Sequence, residues 1–226
     1  MSLQNIWDMS SELNINKRKL VGVQFSRSQL PKTDLTVTKN PWRFVVSAPG
    51  RPWVDMRSTI EALDNLDRYQ PETITIGSNA NFAWLYRYLG DRSTIPTALT
   101  VSSFVGNQLT IGNITGLTNG QYLFRRGDLV QINTKPFPYT IVNDVVYTGA
   151  STVVATTHRP NITTTSVVGL SINCGPNCQI SVFCPNMPTY TLTPGARRMS
   201  GSTTVINNAI VQWSDSFQLY EFVSGS

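Results

Sequence analysis

Apolar residues recur at every second position in several short runs of this chain, and at three- and four-residue spacing in one. In residues 40–50, NPWRFVVSAPG, the side chains of Trp42, Phe44 and Val46 fall on one face, the pattern of a half-buried strand. Residues 58–69 have the other period. Ile60, Leu63 and Leu66, with Ala62, form an apolar stripe, and Asp64, Asp67 and Arg68 take the wet face. Ser58 followed by Glu61 has capping-box spacing, which predicts a helix beginning at Ser58, and Pro71 stops it. ETITIG (72–77) and NFAWLYRYLG (81–90) read as two further strands, the second with Phe82, Trp84, Tyr86 and Tyr88 alternating against Ala83, Leu85 and Arg87.

The texture changes at residue 97. From there to 181 the chain is a series of short β runs broken by Gly, Asn and Pro, which predicts a small, nearly all-β module. QYLFRR and LVQI flank Arg126-Gly127-Asp128, and YTIVNDVV and TVVATTH flank Thr148-Gly149-Ala150. INNAIVQWSDSFQLYEF (206–222) reads as one long strand, or as two joined at Ser214-Asp215, and closes the sheet begun at Trp42. The expected organisation is therefore an N-terminal arm (1–40), polar and irregular with a short helix near IWDMSSEL. A discontinuous β body (41–96 and 182–226) follows, with the β module (97–181) inserted in it. No window holds the roughly 18 apolar residues of a membrane span, and the first residues lack a signal-like apolar core. The sequence thus predicts a soluble protein made without export.

Composition sharpens the picture. Only 14% of the 226 residues are charged, and residues 99–226 carry six basic and four acidic groups. Strand edges with so few charges are a hazard in a monomer and easier to accept where neighbours cover them. The net charge of +5 comes without a basic run interleaved with aromatics, so nucleic-acid binding is not expected.

Chemistry is scarce. His158 is the single histidine, at the end of a β run, with no nucleophile or ligand partner at motif spacing; a structural or partner-facing role is expected. Cys174, Cys178 and Cys184 could supply three thiolates but not a fourth zinc ligand. The turn Gly175-Pro176-Asn177 could bring Cys174 and Cys178 together, yet free buried thiols are favoured in a reducing cytosol. Glu61, Asp64 and Asp67 read as the solvated face of one helix rather than a hydrolase acid pair. No catalytic residue, cofactor or metal ligand is therefore assigned, and no enzyme activity is expected. Arg126-Gly127-Asp128 spells an adhesion tripeptide, but its context predicts a turn. On that reading Asp128→Ala costs little more than one turn hydrogen bond, and Gly127→Val costs more.

The run NPWRFVV…MRSTIEALDNLDRY…ETITIG resembles the start of tailed-bacteriophage tail proteins of the distal-tail and tail-tube type. GLTNGQYLFRRGDLVQI…PYTIVNDVVYTGASTVVATTHRP is similar to the inserted β segment of some of them, and AIVQWSDSFQLYEF to their final strand. The similarity spans roughly residues 40–226. It implies a mainly-β fold, a sandwich or barrel body with one flanking helix and an inserted β domain. It also implies a structural virion role without catalytic residues. Subunits of that family assemble into a ring, usually a hexamer, around the tail channel. Their partners are copies of themselves and neighbouring tail proteins, with nucleic acid only as passing genome and no membrane or small-molecule substrate. The basic N-terminal arm departs from the family. The alternative class is a receptor- or carbohydrate-binding tail protein that reads its ligand with the 97–181 module. That alternative requires Tyr122, Phe137 and Tyr139 to form an exposed platform.

Overall fold

The computed structural model describes residues 2–16, 22–25, 31–34, 41–65, 70–163, 165–198 and 205–223, with backbone only for 22–25, 31–34, 195–198 and 205–208. The fold is mainly β. It starts with α1 (Ser2–Met9), β1 (Glu12–Asn16), and the paired β2 (Gly22–Phe25) and β3 (Pro31–Asp34). Next come β4 (Arg43–Ser47), β5 (Arg51–Pro52), α2 (Trp53–Asp64) and β6 (Glu72–Thr75). The middle of the chain holds β7 (Thr100–Val105), β8 (Gln108–Gly112), β9 (Tyr122–Phe124), β10 (Leu129–Ile132), β11 (Pro138–Thr140), β12 (Val145–Val146), β13 (Thr152–Thr156), β14 (Ile172–Cys174) and β15 (Gln179–Phe183). It closes with β16 (Tyr190–Arg198), β17 (Val205–Trp213) and β18 (Phe217–Glu221). Among the described residues no helix is long and apolar enough to cross a membrane.

Internal contacts divide the chain into two compact units. The first comprises Met1–Asn16, Arg43–Ile74 and Val182–Phe222; the second comprises Lys17–Trp42, Thr75–Ser181 and Val223–Ser226. The body is discontinuous, with different boundaries from those read in the sequence. Residues 75–96 group with the β module, and residues 2–16 are part of the body rather than an arm. Much of the remaining arm, including 17–21 and 35–40, lies outside the described residues.

The first unit is built on a five-stranded sheet in the order β1-β4-β18-β15-β6 and a three-stranded sheet β16-β17-β5. Phe44 pairs with Leu219 and Val46 with Phe217, all four fully buried, so the final strand does close the sheet begun near Trp42. Of the two readings of residues 206–222, the structure takes the second: β17 and β18 are separate strands joined through Ser214-Asp215. Leu3, Ile6 and Trp7 share one face of α1 by their spacing and are fully buried, with Trp7 edge-on to Phe44 at 5.5 Å. Glu72 accepts hydrogen bonds from the Ser2 and Leu3 amides at 3.1 and 2.7 Å. A carboxylate there satisfies two open helix donors and favours the helix dipole. Among its described residues the unit thus has two helices, not one.

Helix α2 begins five residues before the expected cap. Pro52 is the N-cap residue, and Ser58 lies inside the helix, exposed. Met56, Ile60 and Leu63 form the buried stripe; Ala62 is exposed, and Leu66, Asp67 and Arg68 fall outside the described residues. Adding Met56 to the stripe supplies another turn of buried contact, and that outweighs a capping box whose only support is local.

The second unit contains sheets β13-β8-β7, β11-β10-β14 and β12-β9 around one core. All four residues of β10 are buried, including Gln131. Its amide is satisfied: Nε2 donates to the Lys135 carbonyl at 2.9 Å, and Oε1 accepts the Gln179 amide at 2.7 Å. Residues 81–90 are not a strand. The Asn79 side chain accepts the Asn81 amide, and Phe82→Asn79, Leu85→Phe82 and Arg87→Trp84 backbone bonds wind the segment into successive turns. Phe82, Tyr86 and Tyr88 are buried while Trp84 is 71% exposed. YTIVNDVV likewise splits into β11 and β12, in different sheets.

Candidate functional site

The residues that could have carried chemistry are tied into structure. His158 is half-buried: its Nε2 faces the Trp42 indole N–H at 3.2 Å, its Nδ1 the Thr140 amide at 2.9 Å. Its ring lies against Trp42, centroids 5.5 Å apart. A neutral imidazole has one acceptor nitrogen, and at either position a protein N–H already faces it, so the ring presents no free lone pair to a metal or a substrate proton. Arg159 beside it is fully buried, sandwiched between the rings of Trp42 and Tyr139 at 5.6 and 5.3 Å, and donates to the Pro138 carbonyl at 2.8 Å. Nothing local to Arg159 in the sequence marks it as interior; the signal lies in the aromatic residues that surround it in the fold.

Cys174, Cys178 and Cys184 are unpaired and buried. Burial pushes all three thiols up, Cys184 to about 11. They are protonated, apolar fillers rather than nucleophiles. Among the described residues no group of three or more His, Cys, Asp or Glu side chains could hold a metal ion. Glu61 and Asp64 are exposed on α2, and Asp67 lies outside the described residues. Asp64 borders a cavity of about 350 Å³ whose other walls include Ile60, Leu63, Trp213 and Phe217. A greasy cavity with one carboxylate at its rim offers no acid–base pair.

The Arg126-Gly127-Asp128 segment is a turn, of a different kind from a hairpin. The Asp128 amide donates to the Arg125 carbonyl at 3.0 Å, and Gly127 has φ +100°, the geometry of a type II turn with glycine third. β9 and β10 on either side do not pair with each other: β9 pairs with β12, and β10 with β11 and β14. The structure also overturns the expected ranking of the two residues. Asp128 is 2% exposed; its Oδ1 accepts the Leu89 amide and its Oδ2 the Arg125 amide, both at 2.8 Å. Asp144 accepts the Arg126 amide at 2.8 Å. Burial pushes the Asp128 carboxyl above its usual range, against the two amide bonds and the Arg125 charge that pull it down. An adhesion tripeptide must present its carboxylate, and this one is enclosed.

Tyr139 is fully buried, and Tyr122 and Phe137 are half-buried, with Arg125 covering the Tyr122 ring at 3.9 Å. These three residues make no exposed platform. The β16–β17 hairpin is a different kind of surface. It pairs from Tyr190↔Trp213 to Arg198↔Val205, nine pairs in all, whereas β5 flanks it only at Ile210 and Val211. Past Thr193↔Ile210, five pairs have no third strand among the described residues. At about 3.3 Å per residue that is roughly 16 Å of two-stranded ribbon. Thr191, Leu192, Thr193 and Pro194 on β16 are exposed. No protein-family model matches the chain, and no curated protein sequence matches it.

Proposed function

We propose that this protein is a structural subunit of a bacteriophage tail that works by assembly, closing into a ring, six-fold in the simplest case, around the tail channel. The observation that carries this reading is the β16–β17 hairpin. An isolated two-stranded ribbon is at best marginally stable in water, so one that outruns its sheet by five pairs is best explained by a covering neighbour. The sparse charge of the second half, the exposed Val105, Val154 and Leu192 on strands, and the structural use of His158, the thiols and Asp128 agree with assembly rather than turnover. The resemblance of residues 40–226 to distal-tail and tail-tube proteins supplies the identity of the assembly. The location that follows is the virion tail, after synthesis in the host cytoplasm. Mass spectrometry of purified virions and negative-stain imaging of the purified chain test it together. The expected result is the protein in the particle and closed rings of one stoichiometry. Its absence from virions overturns the reading.

A further inference from the structure

We propose that a cleft in the second unit binds an oxyanion, a phosphate or a carboxylate, carried on a body about the size of one sugar. The cleft has a volume of about 370 Å³, at the small end of ligand pockets, and is lined by Arg87, Arg92, Ser93 and Thr94 on its polar side. Ala83, Ile95, Pro176 and the ring of Tyr88 form the rest of the wall. Arg92 is the centre of the argument. Its Nη1 is buried yet has no hydrogen-bond partner, a rare state for a guanidinium donor. Its Nη2 packs close to Gly116, where a built Cβ would come within 3.3 Å of it.

No carboxylate lines the cleft among the described residues. The neighbouring Asp91 is committed elsewhere, accepting the Tyr122 amide at 2.8 Å and pairing with Arg125 at 3.1 Å. The Tyr88 hydroxyl is also committed, to the Leu123 carbonyl. The polar lining that remains is two arginines and two hydroxyl residues, a donor set that matches the acceptor oxygens of phosphate or carboxylate. A bare inorganic ion leaves much of this volume and its apolar wall unfilled. This site goes beyond assembly and does not depend on it, because each concerns different residues and is read by a different measurement.

Isothermal titration of the full chain at low salt with glucose 6-phosphate, glucuronate, glucose and inorganic phosphate tests the proposal. Glucose 6-phosphate or glucuronate should bind saturably, whichever is tighter naming the preferred anion. Glucose should not bind, and inorganic phosphate should bind more weakly than the better sugar anion. Arg92→Gln and Arg87→Gln should each weaken binding at least tenfold with an unchanged thermal midpoint. Added salt should weaken it further. Arg87 is exposed, so Arg87→Gln keeps the test valid should Arg92→Gln fold poorly. Absence of saturable binding by both sugar anions, or affinity untouched by the foldable substitutions, overturns the proposal. Inorganic phosphate binding as tightly as glucose 6-phosphate overturns the sugar-sized body.

Discussion

Single residues in this fold matter chiefly through what they do for buried backbone, and Asp128 is the strongest case. Its two oxygens satisfy the Leu89 and Arg125 amides in a site with 2% exposure, so truncation strands two donors. Hydrogen bonds to a charged group contribute about 1.5–3 kcal/mol each, so Asp128→Ala should cost about 3 kcal/mol or more. Gly127→Val should cost about 1–2 kcal/mol, purely from a positive φ, because nothing lies within 4 Å of the added carbon. Urea unfolding of both variants should therefore rank Asp128 above Gly127; the reverse order would mean the carboxylate is solvated. The buried thiols give a pH dependence of definite sign. Each is raised in the folded state, so each stabilises fully below the ordinary thiol pKa of about 8.5 and is lost as pH climbs toward the folded value. For Cys184 that window runs up to about 11. Within it one such thiol contributes a slope of about 1.4 kcal/mol per pH unit. Cys184→Ala should flatten the fall in stability between neutral and strongly alkaline pH by that amount, and an unchanged slope would contradict the burial of its sulfur.

At the level of elements, helix α2 separates local signal from tertiary selection. If Ser58 capped the helix, Ser58→Ala would cost about 1 kcal/mol. Because Ser58 lies exposed inside a helix running from Trp53, the same change should instead be neutral or stabilise by up to about 0.5 kcal/mol. Thermal melts of this one variant distinguish the two starts. The sequence made the helix legible through Ile60 and Leu63, and the body strand through Phe44 and Val46, because those periods are enforced by burial. It misread residues 81–90, where Phe82, Tyr86 and Tyr88 alternate as a strand would. Their register is set by the Asn79 side chain and a chain of turns, and turn chemistry leaves no periodic trace. The turn at Gly127 was legible from glycine and aspartate alone, but its strand partners were not, since β9 and β10 pair with strands further along the chain. The cleft was the least legible feature. Arg87 and Arg92 meet Pro176 only after the chain has passed through most of the module, and no spacing motif records such a meeting.

For the whole molecule, the assembly reading concentrates on the outer part of the β16–β17 hairpin, which makes it separable from folding. The base of the hairpin contributes Val211 to the core and Trp213 to an edge-on contact with Phe217 at 4.9 Å, whereas the five outer pairs are flanked by no described strand. Replacing residues 194–209 with Asn-Gly keeps the pairing up to Thr193↔Ile210 and closes it with a two-residue turn suited to the strand twist. A ribbon used only between subunits should be removable with little change in the thermal midpoint of the isolated chain. Its loss should abolish the ring, since stable interfaces bury about 1,200–2,000 Å² and a ribbon of roughly 16 Å with both faces available is a large share of that. Light scattering at matched concentrations should then give a ring for the parent chain and a monomer for the shortened one, with coincident melts. A shortened chain that still forms the ring would place the interface on other edges, such as β1. One that melts far earlier would show that the hairpin holds its own fold rather than a neighbour's.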